Sequence, residues 1–150
     1  MNAKITEVNQ SRKDLVQFRW GRIVAAAVLL ELTLAAFLTL QMLVLGAGTS
    51  VANAVGSLIG FLAFGFVFGR WAARKADSRP LLHGAFVGVL ATVLYLGFIS
   101  ILAVVQGFTP WSGIAYVAVA YGTVQFILLN IFRILGCIAG SFFIRGRSQS

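Results

Sequence analysis

The chain is predicted to be an all-α polytopic membrane protein, a bundle of four transmembrane helices with both termini in the cytoplasm. Three observations carry that prediction. Hydrophobic residues make up 59% of the 150 positions and charged residues 11%, against about 25% charged in soluble domains. Mean hydropathy is +0.92. The apolar residues fall into long runs, Ile23 to Leu45, Val51 to Gly69, Leu81 to Val105 and Gly113 to Ile144, each beyond the ~18 residues that mark a spanning helix. Helices are the form expected, because lipid offers no partner for backbone polar groups.

Charge supplies the topology. Of the 12 lysines and arginines, all but Arg133 lie outside the runs, and all of those fall on one side of the implied zigzag. Lys4, Arg12, Lys13, Arg19 and Arg22 precede the first run; Arg70, Arg74, Lys75 and Arg79 follow the second; Arg145 and Arg147 follow the fourth. The links at 46–50 and 106–112 carry none. Positive-inside bias puts the basic side in the cytoplasm and the protein in the cell membrane as a multi-pass chain. The net charge of +8 is therefore read as topology signal and attraction to anionic lipid headgroups, not as a nucleic-acid footprint.

The expected organisation is a cytoplasmic tail over 1–22, a transmembrane domain over 23–144 and a cytoplasmic tail over 145–150. In the first tail, Ser11-Arg-Lys-Asp14 has the outline of a capping box, so a short interfacial helix or a frayed anchor could lead to the first run. That run is read as an uncleaved anchor despite Ala52-Asn-Ala54, because it is longer than the ~7–15 residues of a signal-peptide apolar region. The second run carries small residues four apart at Ala52, Gly56 and Gly60, then Gly65 and Gly69. Pro80 suits the first turn of the third helix, which continues with Gly84 and Gly88. The fourth run carries Gly136 and Gly140. In lipid, helices associate through close backbone approach, so these glycines are expected at helix contacts. The fourth run has about 32 residues, roughly 48 Å at ~1.5 Å per residue, too long for an untilted span. Gly65-Phe-Val-Phe-Gly-Arg70 and Gly140-Ser-Phe-Phe-Ile-Arg145 suggest a weak tandem repeat of two helices each.

Two charged residues lie within the runs, Glu31 and Arg133. A charge at the centre of a bilayer costs ~2.5–3.5 kcal/mol on insertion scales, so such residues usually find partners. Centring each run puts Glu31 about 4–5 Å and Arg133 about 7 Å to the same side of the midplane, at ~1.5 Å per residue. An ion pair between the first and fourth helices is one reading. Arg133 snorkelling to the boundary beside a neutral Glu31 is another, and a water-filled pathway the third. Thr123, Asn130, Arg133, Cys137 and Gly140 form a stripe expected to face inward, with Gln125 off it. The stripe fits interhelical hydrogen bonding or a polar ligand.

The hairpin between the second and third helices carries Gly65, Gly69, Arg70, Arg74, Lys75, Pro80, His83, Gly84 and Gly88. Arg70, Arg74 and Lys75 are placed to meet lipid phosphates, and His83 the membrane edge. This Gly-Arg … His-Gly-x-x-x-Gly pattern, over roughly residues 56 to 96, resembles a group of small four-helix bacterial membrane proteins of unknown function. The resemblance implies the fold and a bacterial origin, and no activity. Glu31 also resembles, in placement, the first-helix glutamate of small multidrug resistance transporters. The chain lacks their Gly-Pro-rich second helix, and its charge bias runs against the dual topology some of them use.

No nucleophile–base pair, metal cluster or phosphate-binding glycine loop is evident, so no enzyme, cofactor or metal is expected. Ser57 and Ser100 are hydroxyls without a base. Cys137 stands alone and reads as a small packing residue. The expectation is a scaffold or accessory subunit of a membrane complex, with a protein partner or further copies of itself. The alternative is a small oligomeric transporter or channel using Glu31 and Arg133.

Overall fold

The computed structural model of the chain is described over residues 19–46, 51–74 and 79–145. It contains helices α1 (Trp20–Leu45), α2 (Val51–Ala73), α3 (Pro80–Val105), α4 (Pro110–Tyr121) and α5 (Thr123–Arg145), and no strand among the described residues. The interfacial-helix segment around Ser11–Asp14, Lys75 and the last residues from 146 lie outside the described residues. Helices α1, α2, α3 and α5 are long and apolar enough to cross a membrane.

The fourth run is not one helix. It divides at Gly122, whose φ of 82° lies in the region glycine adopts without steric cost. The division resolves the excess length. Helix α5 alone has 23 residues and matches α2, while α4 forms a separate 12-residue piece. Helix α4 begins upstream of the expected run, at Pro110, where the Thr109 side chain accepts a hydrogen bond from the Ser112 amide. That capping geometry satisfies one of the free amides of the first turn. Helix α4 buries none of its residues. Gly113 at one end lies against Ile99 and Ala103 of α3. At the other end Ala120 and Tyr121 meet a space shared with α1 and α2.

Pro80 is the first residue of α3, and Arg79 before it is left-handed, with φ 53° and ψ 58°. Proline bars the preceding residue from the right-handed helical region, so the chain enters α3 by a sharp turn.

Helix α5 lies in the groove between α2 and α3, with α2–α5 the most intimate pairing, and α1 packs on the other side of the same two helices. Among the described residues the α1 and α5 backbones do not meet. Glycine makes the α2–α5 seam possible. A Cβ on Gly69 would strike the Cys137 carbonyl, one on Gly136 the Leu62 carbonyl, and one on Gly140 the Phe66 carbonyl. The two similar segments, 65–70 and 140–145, thus lie side by side on parallel helices, with the rings of Phe66 and Phe143 edge to face at 5.5 Å. On α3, Gly84 lies against Cys137 and Ser141, and Gly88 against Ile134, whose Cα a Cβ on Gly88 would meet at 2.8 Å. Gly60 and Gly56 face α1 instead, against the Phe37 ring and the Gln41 amide. The core cluster of Ile23, Leu30, Leu34, Phe61, Val87 and Leu129 fills the space between these contacts.

The charged helix ends α1-N, α2-C, α3-N and α5-C share one end of the bundle, the basic end. There Arg22 Nη2 donates to the Trp71 carbonyl at 2.6 Å and its guanidinium lies 4.7 Å from the Trp71 ring centroid. Trp20 stacks edgewise on Phe86 at 5.5 Å. The opposite, neutral end carries α4, with Trp111 and Tyr116 both over three-quarters exposed, suited to a membrane–water boundary.

Candidate functional site

The diamond arrangement leaves α1 and α5 on opposite corners, and only long side chains can join them. Glu31 and Arg133 do so: Arg133 Nη1 lies 3.0 Å from Glu31 Oε1. The guanidinium passes between the other two helices, 4.9 Å from the ring centroid of Phe61 on α2 and 5.0 Å from that of Tyr95 on α3. One side chain thus touches all four spanning helices. Cation–π contacts are worth ~0.5–2 kcal/mol, the upper end when desolvated, and a planar guanidinium suits them better than an ammonium.

The burial is asymmetric. The Arg133 side chain is 1% exposed and that of Glu31 19%. Burying an unpaired charge is prohibitive, so Glu31 is the condition for Arg133 to be where it is. The pair is close in distance but not aligned as a hydrogen bond: among the described residues Arg133 Nη1 and Nε and Glu31 Oε1 have no hydrogen-bond partner. Charge attraction and ring contact, rather than a bidentate fork, hold it.

The rest of the expected stripe divides. Cys137 and Gly140 are buried with Arg133, whereas Thr123 is exposed at the neutral end. Asn130 is half-buried and donates from Nδ2 to the Phe126 carbonyl one turn back at 2.8 Å, and Oδ1 has no partner among the described residues. It lies beside the pair on the same helix and does not join it. Among the described residues no group of three histidines, cysteines, aspartates or glutamates forms a metal site.

A second polar centre lies toward the neutral end. Gln41 Nε2 donates to the Asn53 carbonyl at 2.7 Å, and the single Ser57 hydroxyl proton has that carbonyl at 2.8 Å and Gln41 Oε1 at 3.2 Å as acceptors. This cluster ties α1 to α2. It lines a cavity of about 250 Å³ whose other walls include Tyr121 and Gln125 from the α4–α5 break. A second, larger groove of about 600 Å³ runs between the end of α3 and α4, beside Gln106 and Tyr116.

Sequence reasoning did not single out Phe61, Tyr95, Gln41, Asn53 or Tyr121. The aromatic pair carries no signal among 13 phenylalanines and 3 tyrosines. Gln41 and Asn53 offered one, two amides facing each other across a short link, and Ser57 one turn beyond Asn53.

The hairpin residues diverge. Arg74 is exposed and Arg70 half-buried. His83, in the first turn of α3, is buried at 1%, its Nδ1 3.3 Å from the Arg79 carbonyl. It belongs to the seam at the base of α3, next to Gly84. Compared with protein-family models, curated proteins and solved structures, the chain matches none.

Proposed function

We propose that the protein is a non-enzymatic scaffold or accessory subunit of a membrane complex. The observation that supports this most is the sealed state of Arg133. A guanidinium enclosed by Glu31, Phe61 and Tyr95 acts as a clasp between helices, whereas a substrate or proton site needs its charged group free to exchange partners. Cys137 and His83 are likewise absorbed in packing.

In this reading the basic end faces the cytoplasm of a cell or inner membrane, and both termini lie there. Arg74 and the neighbouring Lys75, together with Arg70, meet anionic headgroups, each basic residue worth ~1 kcal/mol of surface attraction. The group of small bacterial membrane proteins with the Gly-Arg … His-Gly-x-x-x-Gly hairpin is the proposed kinship. Among the described residues no extramembrane segment forms a folded unit, so there the lipid-facing surface is the one offered to a partner.

The test is crosslinking in native membranes followed by affinity purification. A second protein recovered in fixed stoichiometry is the expected result. Recovery of this chain solely as copies of itself overturns the accessory-subunit reading. It favours the second reading, an oligomeric transporter in which the partial exposure of Glu31 opens the pair to solvent.

A further inference from the structure

The cavity at the neutral end has a polarity that the scaffold reading leaves unused. Its α1–α2 wall is internally satisfied, since Gln41, Asn53 and Ser57 bond to one another. Its opposite wall is not. Neither the Tyr121 hydroxyl nor the Gln125 carboxamide has a hydrogen-bond partner among the described residues. The remaining surface is apolar, supplied by Leu38, Met42, Ala54 and Ala120, and no charged residue lines it.

These features specify a ligand. An ion is disfavoured, because nothing in the cavity compensates its desolvation. The two unspent groups, a hydroxyl and a carboxamide, can both donate, so a ligand that carries acceptors satisfies both. The apolar walls need a compact hydrocarbon body. A volume of about 250 Å³ holds roughly eight waters at ~30 Å³ each, the size of a small ring system rather than of a drug-sized molecule. The cavity lies within a membrane-spanning bundle, so a ligand that partitions into the bilayer reaches it by the shortest route.

We infer that this cavity, between α1, α2 and the α4–α5 break, binds the head of a neutral, lipid-soluble carbonyl compound of the quinone class, with Tyr121 and Gln125 donating to its carbonyl oxygens. The α4 side is the wall that yields to admit it. Helix α4 buries no residue of its own and is flanked by glycines with left-handed φ, Gly107 at 80° and Gly122 at 82°.

The experiment uses the full chain in lipid nanodiscs, with menadione as the tail-free probe and empty nanodiscs as the partition baseline. Saturable binding of one menadione per chain is expected. Tyr121→Phe and Gln125→Met, which keep shape and remove the donor, each weaken it about 5–10-fold, the worth of one hydrogen bond. Ala54→Phe fills the cavity and abolishes binding, while Gln106→Leu in the neighbouring groove leaves it unchanged. Absence of saturable binding above the baseline overturns the assignment. So does unchanged affinity in Gln125→Met, which carries the test if Ala54→Phe fails to fold.

Discussion

A single arginine side chain sets how the helices of this bundle relate. Arg133 is the largest fully buried side chain among the described residues, and its neighbours Glu31, Phe61 and Tyr95 come one from each of the three other spanning helices. Removing Glu31 strands a guanidinium in the core. Removing Arg133 strands a carboxylate that retains some exposure. Glu31→Gln is therefore expected to lower stability more than Arg133→Gln, with losses of ~3–5 kcal/mol typical for broken buried pairs. The double variant should recover much of the loss, since glutamines can bond to each other. Arg133→Lys keeps the charge but loses the plane that faces Phe61 and Tyr95, and should cost about 1–2 kcal/mol. Thermal unfolding of these variants in lipid, arranged as a double-mutant cycle, measures the coupling. A coupling energy near zero would mean that the two charges are held independently.

At the scale of the helices, what a glycine faces decides what it does. Gly140 and Gly69 face backbone carbonyls of the adjoining helix, which cannot move without parting α2 from α5. Gly60 faces the ring of Phe37, a side chain that can turn aside. Gly140→Ala is therefore expected to destabilise by more than the ~1–3 kcal/mol usual for overpacking, and Gly60→Ala by clearly less. Equal melting shifts for the two would show that the seam can part as easily as a ring can turn. The spacing of small residues made the close contacts legible in the sequence, but not this ranking, which depends on the partner's register. The same limit explains the fourth run. Its excess length announced a tilt or a break, and Gly122 was one glycine among 16. What places the break there is the alignment of α5 with α2, a tertiary fact. That Glu31 and Arg133 are ionisable positions deep in two apolar runs was legible in the sequence, but the depth assigned to Arg133 rested on the centre of a run that divides at Gly122. Phe61 and Tyr95 were not legible, because which face a residue takes on a uniformly apolar helix depends on its neighbours.

For the whole molecule, the two ends differ in kind. The basic end gathers Arg19, Arg22, Arg70, Arg74 and Arg79 among the described residues. The neutral end has α4, its aromatic residues and the amide cluster, and no basic residue. Such a separation is what positive-inside bias acts on during insertion, and the surface potential of an anionic inner leaflet reinforces it afterwards. Lys75 and the other basic residues of the tails add to the same side. The bundle should therefore adopt a single orientation. Cysteine at Ser112, exposed at the start of α4, is the reporter for the neutral end, and cysteine at Ser78 for the basic hairpin. Both belong in a Cys137→Ser background, although the native thiol is buried. A membrane-impermeant maleimide applied to intact cells should label the Ser112 position and spare the Ser78 position until the membrane is opened. Labelling of Ser78 alone would invert the bundle. Labelling of both in intact cells would mean two orientations, leaving the charge asymmetry without the role given to it here, and would strengthen the likeness to transporters that insert both ways.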